Sequence, residues 1–354
     1  MARGTQRGAI DALLASAEPS IRFKLRLGVL GEAGDSPEIV ALREEIRQSP
    51  RVRALLAGRD GSGRWPGRAA YKKWQGAHWV LVTLADLGHP PGDPELEPLR
   101  DQLQQTWLAP HYFSEYEHPG GGASRRRGVP IMEGRYRRCA SQQGNALYAL
   151  STLGLADDDT LRLTERLLHW QWPDGGWNCD RRPSADTSSF METLTPLRGL
   201  VAYAAGGRAD ARIRAAIERA AEVFLSRRLY RRRSDGSTID ADFTRLHYPL
   251  YWHYDILGGL KVMAEAGLLG DDRCRDALDL LERKRLPEGG FPAEGRYYRT
   301  STDPTISGGE VVEWGRVDPR AANAWVSADA LAVLAAAGRL EGVPGRASGA
   351  PTGS

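Results

Sequence analysis

The chain has 354 residues, 41% of them apolar, and a formal net charge of +3. That composition can bury a sizeable core, its charge is too mild to mark a nucleic-acid binder, and no apolar run approaches the roughly 20 residues of a membrane span. Three cysteines, Cys139, Cys179 and Cys274, make no even disulfide framework, and the start MARGTQRGAIDALL lacks a signal peptide's apolar run, so a reduced, cytoplasmic protein is expected.

Residues 1–18 read as an N-terminal extension, 19–340 as one domain, and the Gly-, Pro-, Ser- and Ala-rich tail 341–354 as disordered. Two punctuation marks alternate along the domain. The first is an apolar residue and Gly followed by an acid, at Gly31–Asp35, Gly88–Asp93, Gly154–Asp157, Gly206–Asp210, Gly267–Asp271 and Gly338–Glu341. Gly ends a helix in the left-handed conformation, and the acid caps or precedes the next one. The second mark is an Asp-Gly or Glu-Gly turn closed by an aromatic, as in RDGSGRW (Arg59–Trp65), QWPDGGWNCD (Gln171–Asp180) and LPEGGF (Leu286–Phe291). A looser copy spans Arg231–Thr238.

The marks separate two sets of helices. The apolar set is predicted at 19–30, 71–87, 138–154, 187–205, 251–267 and 321–338. The charged, amphipathic set is predicted at 37–57, 94–109, 157–171, 208–229 and 271–286. Nothing alternates with period two for long enough to suggest a sheet. Residues His111–Tyr136 read as one long loop with a Gly-rich centre at 120–122 and the arginines Arg125–Arg127. Six apolar helices inside an outer amphipathic layer make an all-α fold, the (α/α)6 toroid.

In that topology every Asp-Gly turn and every inner-helix N-terminus lies on one rim, where helix dipoles favour a diphosphate or carboxylate. Cys139, Cys179 and His253 form the sharpest group there, a three-ligand set for zinc with one open position. Asp180 is a fourth ligand or the group that orients His253. The competing reading is two buried cysteines and a structural histidine. His253 and Asp255 also read as a general acid with its carboxylate, walled by Tyr248, Tyr251, Trp252 and Tyr254. Trp74, His78, Tyr251, Trp252 and Glu192 are candidate substrate contacts. The pairs Glu192 with Asp186 and Glu310 with Glu313 have the form of glycosidase carboxylates, against solvated charge and an Asp186 helix cap.

The run Gln171–Trp177 resembles the QW repeat of squalene–hopene and oxidosqualene cyclases. The span 19–338 looks like the terpenoid cyclase/protein prenyltransferase α/α-toroid superfamily. The resemblance implies a toroid whose cavity takes a hydrophobic, isoprenoid-like substrate, cyclised or transferred. No D-x-D-D is present, Asp157–Asp159 sits at the opposite end, and the span covers one barrel of a full triterpene cyclase. The Asp-x-Cys of prenyltransferase β subunits has no match, since Cys179-Asp180 is adjacent and Asp186-Thr187-Ser188 carries Ser in the Cys position. Lanthionine cyclases, another toroid family, use Cys, Cys and His, but their local motifs are not present. Four readings follow: a terpene cyclase- or prenyltransferase-like enzyme, a zinc enzyme on a non-terpenoid substrate, a carbohydrate-active enzyme, and a non-catalytic binding toroid. Metal content, Glu192→Gln activity and the presence of a cavity discriminate among them. The partner in every enzymatic reading is a small molecule, with no nucleic acid; a partner subunit is not legible.

Overall fold

Proline at the first helical turn and a side-chain cap just before it start several of the helices, because the first N–H groups have no partner inside the helix. A computed structural model describes residues 2–66, 70–119, 126–300 and 306–340. The Gly-rich centre 120–122, Arg125 and the tail 341–354 fall outside those residues. In chain order come α1 (Ala2–Leu14), α2 (Pro19–Gly28), α3 (Pro37–Arg47), α4 (Pro50–Leu56), α5 (Ala77–Leu87), α6 (Glu97–Trp107) and α7 (Pro110–Phe113). The strands β1 (Glu115–Glu117), β2 (Val129–Met132) and β3 (Arg135–Tyr136) follow. Then come α8 (Ala140–Thr152), α9 (Asp158–His169), α10 (Phe190–Tyr203), α11 (Ala211–Leu225), α12 (Ile256–Glu265) and α13 (Arg275–Arg283). The order closes with β4 (Arg299–Thr300), β5 (Gly309–Glu310) and α14 (Ala324–Ala336).

The apolar helices pack in sequence: α5 on α8, α8 on α10, α10 on α12, α12 on α14, and α14 back on α2. Lys24 of α2 reaches Asp86 of α5, which completes the cycle. Each also packs on the amphipathic helix that follows it, as α2 on α3, α5 on α6, α8 on α9, α10 on α11 and α12 on α13. In α5 every residue but Asp86 is buried, whereas α13 buries only Ala277, Leu278 and Leu281. Hydrophobic burial at about 25 cal/mol per Å² therefore holds the amphipathic layer by one stripe and the apolar layer all round. One buried core runs from Ile10 of α1 to Leu340.

Several boundaries differ from the sequence expectation. The helix expected over 37–57 breaks before Pro50, where Ser49 accepts from Val52 N–H and starts α4 afresh. Of the six turn glycines, Gly206 is not left-handed (φ −76°); Gly207 is (φ 78°), because α10 runs on into a wider turn over Ala204–Arg208. Asp186 does not cap α10; Ser189 does, accepting from Glu192 N–H. The long loop over 111–136 holds a small sheet in which β1 pairs parallel with β2, and β2 antiparallel with β3. A second parallel pair joins β4 and β5. Strands of two to four residues are too short to leave a period-two signal.

The turn Gln171–Asp180 ties three layers together. Gln171 Nε2 donates to the carbonyls of Gly175 (2.7 Å) and of Ala216 on α11 (2.9 Å). Trp177 Nε1 donates back to Leu167 of α9 (3.0 Å), and Asp174 accepts from the backbone and hydroxyl of Ser188.

The closest approach in the apolar layer is between α8 and α10. A Cβ at Gly144 would lie 2.3 Å from Pro196 N and 2.5 Å from Thr195 C, both backbone atoms that cannot move alone. Gly144→Ala is therefore expected to lower unfolding stability by about 1–3 kcal/mol, read from urea denaturation. An unchanged midpoint would contradict this packing.

Candidate active site

Five helices meet at a buried ionic cluster. Asp86 of α5 accepts from Lys24 of α2 (2.9 Å), Lys261 of α12 (2.8 Å), Arg198 of α10 (3.3 Å) and the Tyr248 hydroxyl (2.8 Å). Asp329 of α14 accepts from the same two lysines, at 3.0 Å each. Arg198 also holds Glu265 at 2.8 Å. Burial alone would push the Asp86 carboxyl up, but Lys24, Lys261 and Arg198 hold it well below the usual range. For Lys261, burial works downward and is overcome by Asp329 and Asp86, which raise it. Both groups are therefore charged at neutral pH, and Asp86 has no proton to give.

A partly open cavity of about 90 Å³ adjoins this cluster. Asp86, Asp329, Lys261 and Arg198 form its polar floor, while Tyr248, Tyr251 and Trp314 with Val82, Leu194 and Leu257 supply its apolar walls. A single water needs only about 10–15 Å³ of such space, so the cavity has room for a larger guest.

The stretch 247–255 builds the mouth. Asp255 is fully buried; its Oδ1 accepts from Gly258 N–H (2.8 Å), capping α12, and its Oδ2 accepts from His247 N–H (2.8 Å). The His247 ring stands at 3.4 Å from the same oxygen. Tyr251 takes a left-handed backbone (φ 55°), uncommon for a bulky residue and held here from three sides. Its ring stacks on Trp74 at 3.7 Å, its hydroxyl donates to Glu310, and its carbonyl accepts from Asn145 at 3.2 Å. Burial pushes the Tyr251 phenol and the Glu310 carboxyl up. His253 lies between Trp252 (3.8 Å) and Tyr297 (3.5 Å), and its Nδ1 donates to the Leu250 carbonyl at 3.1 Å. That bond places the proton on Nδ1 and leaves Nε2 unprotonated in a residue that lines the cavity. Burial lowers its pKa to about 4, so the ring is neutral at pH 7.

A second group sits at the N-termini of α8 and α10. Cys139 precedes α8, Cys179 ends the Asp-Gly-Gly turn, and Glu192 lies in the first turn of α10. One ligand atom from each lies within 4.8 Å of the other two. Cys179 Sγ donates to Glu192 Oε1 at 3.4 Å, and Ser141 N–H donates to Glu192 Oε2 at 2.9 Å. The hydrogen bond from Cys179 lowers the Cys139 thiol, the same contact raises that of Cys179, and burial raises Glu192.

The residues singled out in the sequence thus fall into separate places. Cys139 and Cys179 come together, with Glu192 as the third member in place of His253, which its ring stack holds at the mouth. Asp180 reaches neither group; Arg182 grips its carboxylate in a two-pronged bond and lowers its pKa. Asp255 is the partner of His247, not of His253. Trp74 and Tyr251 form one stack, with Lys73 over Trp74 and Trp252. His78 is walled in by Tyr71, Trp79 and Trp107 and accepts from Trp107 Nε1 at 3.1 Å, away from the cavity. Asp186 and Glu313 are exposed while Glu192 and Glu310 are buried, so neither presumed glycosidase pair shares one environment. The floor was missed, although lone charges inside apolar runs, Asp86 in LVTLADLG and Asp329 in WVSADALAV, were the available signal.

The sequence matches no family model and no curated protein. Among solved structures it is similar to MstE, a type II terpene cyclase from Scytonema, seen in complex with its substrate geranylgeranyl dihydroxybenzoate. That likeness has 13% identity and a TM-score of 0.44 over 94% of this chain and 95% of that one. It is also similar to alpha-2-macroglobulin from E. coli, at 16% identity and a TM-score of 0.39, over 96% of this chain and 17% of that one.

Two expectations follow from these environments. Burial lowers His78 to about 3 and His253 to about 4, below the ordinary 6.5, so the unfolded chain binds more protons between those values. The stability tied to these neutral rings is present above about pH 6.5 and is lost as pH falls toward about 3. Denaturation midpoints should drop across that window, and less steeply in His78→Gln; an equal slope in the variant contradicts the assignment. Asp255→Asn should cost about 1–3 kcal/mol of unfolding stability, because an amide places N–H against a backbone donor. A wild-type midpoint would remove Asp255 from its capping role.

Proposed function

We propose that the protein is an enzyme, built as an (α/α)6 toroid, that holds a hydrophobic, isoprenoid-like substrate in its axial cavity. The observation that carries this reading is a cavity with aromatic and aliphatic walls over a floor whose charges are all paired. Methyl-branched chain buried against Val82, Leu194 and Leu257 is stabilised by transfer from water, at about 25 cal/mol per Å². The ring faces of Tyr248, Tyr251 and Trp314 suit a carbon skeleton that passes through a cation. With Lys24 and Glu265 behind it, the floor sets three cations (Lys24, Lys261, Arg198) against three anions (Asp86, Asp329, Glu265), so it attracts no counter-ion of its own.

Chemistry begun by an aspartic acid of the D-x-D-D type does not start at Asp86, which is ionised. The group that can accept a proton where such chemistry ends is His253, neutral and with its Nδ1 committed to the Leu250 carbonyl. Asp255 positions the mouth through His247 and the α12 cap, and Glu192 belongs to the thiol group beyond the mouth.

Calorimetry with farnesyl and geranylgeranyl diphosphate tests the reading. Wild-type protein is expected to bind at least one of them. Val82→Phe, which fills the cavity, should weaken that affinity at least about tenfold, or about 1.4 kcal/mol. His253→Phe keeps the ring stack and the binding but should slow product formation by about 10²-fold or more. Absence of binding to both compounds, or unaltered affinity in Val82→Phe, would sink the proposal.

A further inference from the structure

We infer that Cys139, Cys179 and Glu192 form a metal site for zinc, with two sulfurs and one carboxylate oxygen as ligands and a fourth position open. This goes beyond the cavity reading and does not depend on it. Three chain segments distant in sequence bring the ligand atoms together: the start of α8, the end of the Asp-Gly-Gly turn and the first turn of α10.

Geometry favours the assignment. On tetrahedral zinc, bonds of about 2.3 Å to sulfur and about 2.1 Å to oxygen put a sulfur and an oxygen about 3.6 Å apart, and two sulfurs about 3.8 Å apart. The Cys179 Sγ to Glu192 Oε1 separation is 3.4 Å, already that edge of the tetrahedron. The remaining separations are no more than 4.8 Å, so modest side-chain rotation closes the set.

The surroundings orient the ligands. Ser141 N–H holds Glu192 Oε2 at 2.9 Å, which leaves Oε1 to face the sulfurs, as a second-shell hydrogen bond does in metal centres. Cys139 occupies the N-cap position of α8 yet makes no capping bond with its side chain, so its sulfur faces the group with the helix dipole behind it. Buried Arg138 adjoins, and its charge acts on Cys139, Cys179 and Glu192. Two thiolates and a carboxylate with a dication leave one negative charge, which Arg138 balances.

Ligand chemistry selects the ion. Thiolates favour zinc over magnesium or calcium, which take oxygen ligands. On binding, each thiol still protonated gives up its proton to solvent, two Zn–S bonds and one Zn–O bond form, and no electron is transferred. Three protein ligands leave room for water or a substrate thiol, the pattern of a catalytic rather than a structural centre.

The test uses the full chain, purified under reducing conditions. We expect about one zinc per chain by elemental analysis, and thiolate-to-metal charge-transfer absorption when cobalt(II) replaces it. Cys139→Ser with Cys179→Ser should lose both signals, and Glu192→Gln should weaken zinc affinity at least about tenfold. Circular dichroism checks that each variant folds. Two results overturn the site: reduced wild-type protein that holds no zinc and gives no charge transfer with added cobalt, or zinc retained by the double serine variant. Both read metal content, so they leave the cavity proposal to its own experiment.

Discussion

Asp86 is the residue on which the arrangement of the apolar helices depends. Its carboxylate gathers a lysine from α2, a lysine from α12, an arginine from α10 and a phenol from the mouth segment. Through the two lysines it is linked to Asp329 on α14. Burying such a set is costly, because each ion gives up water. Losing one member is costlier still, typically about 3–5 kcal/mol, since its partners are then stranded. A cluster of this kind adds little net stability but admits few alternatives: a helix rotated or shifted by one turn would leave a charge unpaired. The same residues set the depth of the cavity and make its floor polar and balanced.

Above that floor, the mouth is a set of mutually fixed rings. Trp252, His253, Tyr297 and His247 stack in order, and Trp74 stacks on Tyr251. Asp255 anchors the start of α12 and His247 at once, so the ring stack is tied to the helix layer rather than to a free loop. The thiol group lies outside this stack. Asn145 and Thr195 line the cavity, whereas Cys139, just before α8, and Glu192 stand six and three residues nearer the N-termini of the same two helices. Two chemically distinct places therefore share α8 and α10.

Much of the helix order was legible because its signals are local. A left-handed glycine, a capping acid and an apolar or amphipathic stripe are each read within a few residues, and they placed α8, α9, α10 and α14 closely, while α5 starts at Ala77, six residues after the expected 71. The break at Pro50 comes from a local cap and proline inside a stripe that reads as continuous, and the strands are too short to leave a period-two signal. The site was less legible still. Adjacent Cys179 and Asp180 point to different neighbours, Cys179 to Glu192 and Asp180 to Arg182. His253 and Asp255 are two apart in sequence, yet Asp255 serves His247. Sequence proximity suggested both pairings, and side-chain direction undid them. Lone charges in apolar runs carried the strongest unread signal, since a buried charge demands a partner from another helix.

The proposed function requires that the cavity lined by Leu194, Tyr248, Tyr251 and Leu257, and not the outer surface, receives the hydrophobic substrate. Photo-crosslinking with a farnesyl diphosphate analogue carrying a benzophenone, followed by peptide mapping, tests it most directly. The account predicts label in the peptides that contain Leu194, Tyr248, Tyr251 and Leu257, suppressed by unlabelled farnesyl diphosphate. Label confined to exposed apolar residues such as Leu30, Val40 or Leu161, and indifferent to the competitor, would contradict it.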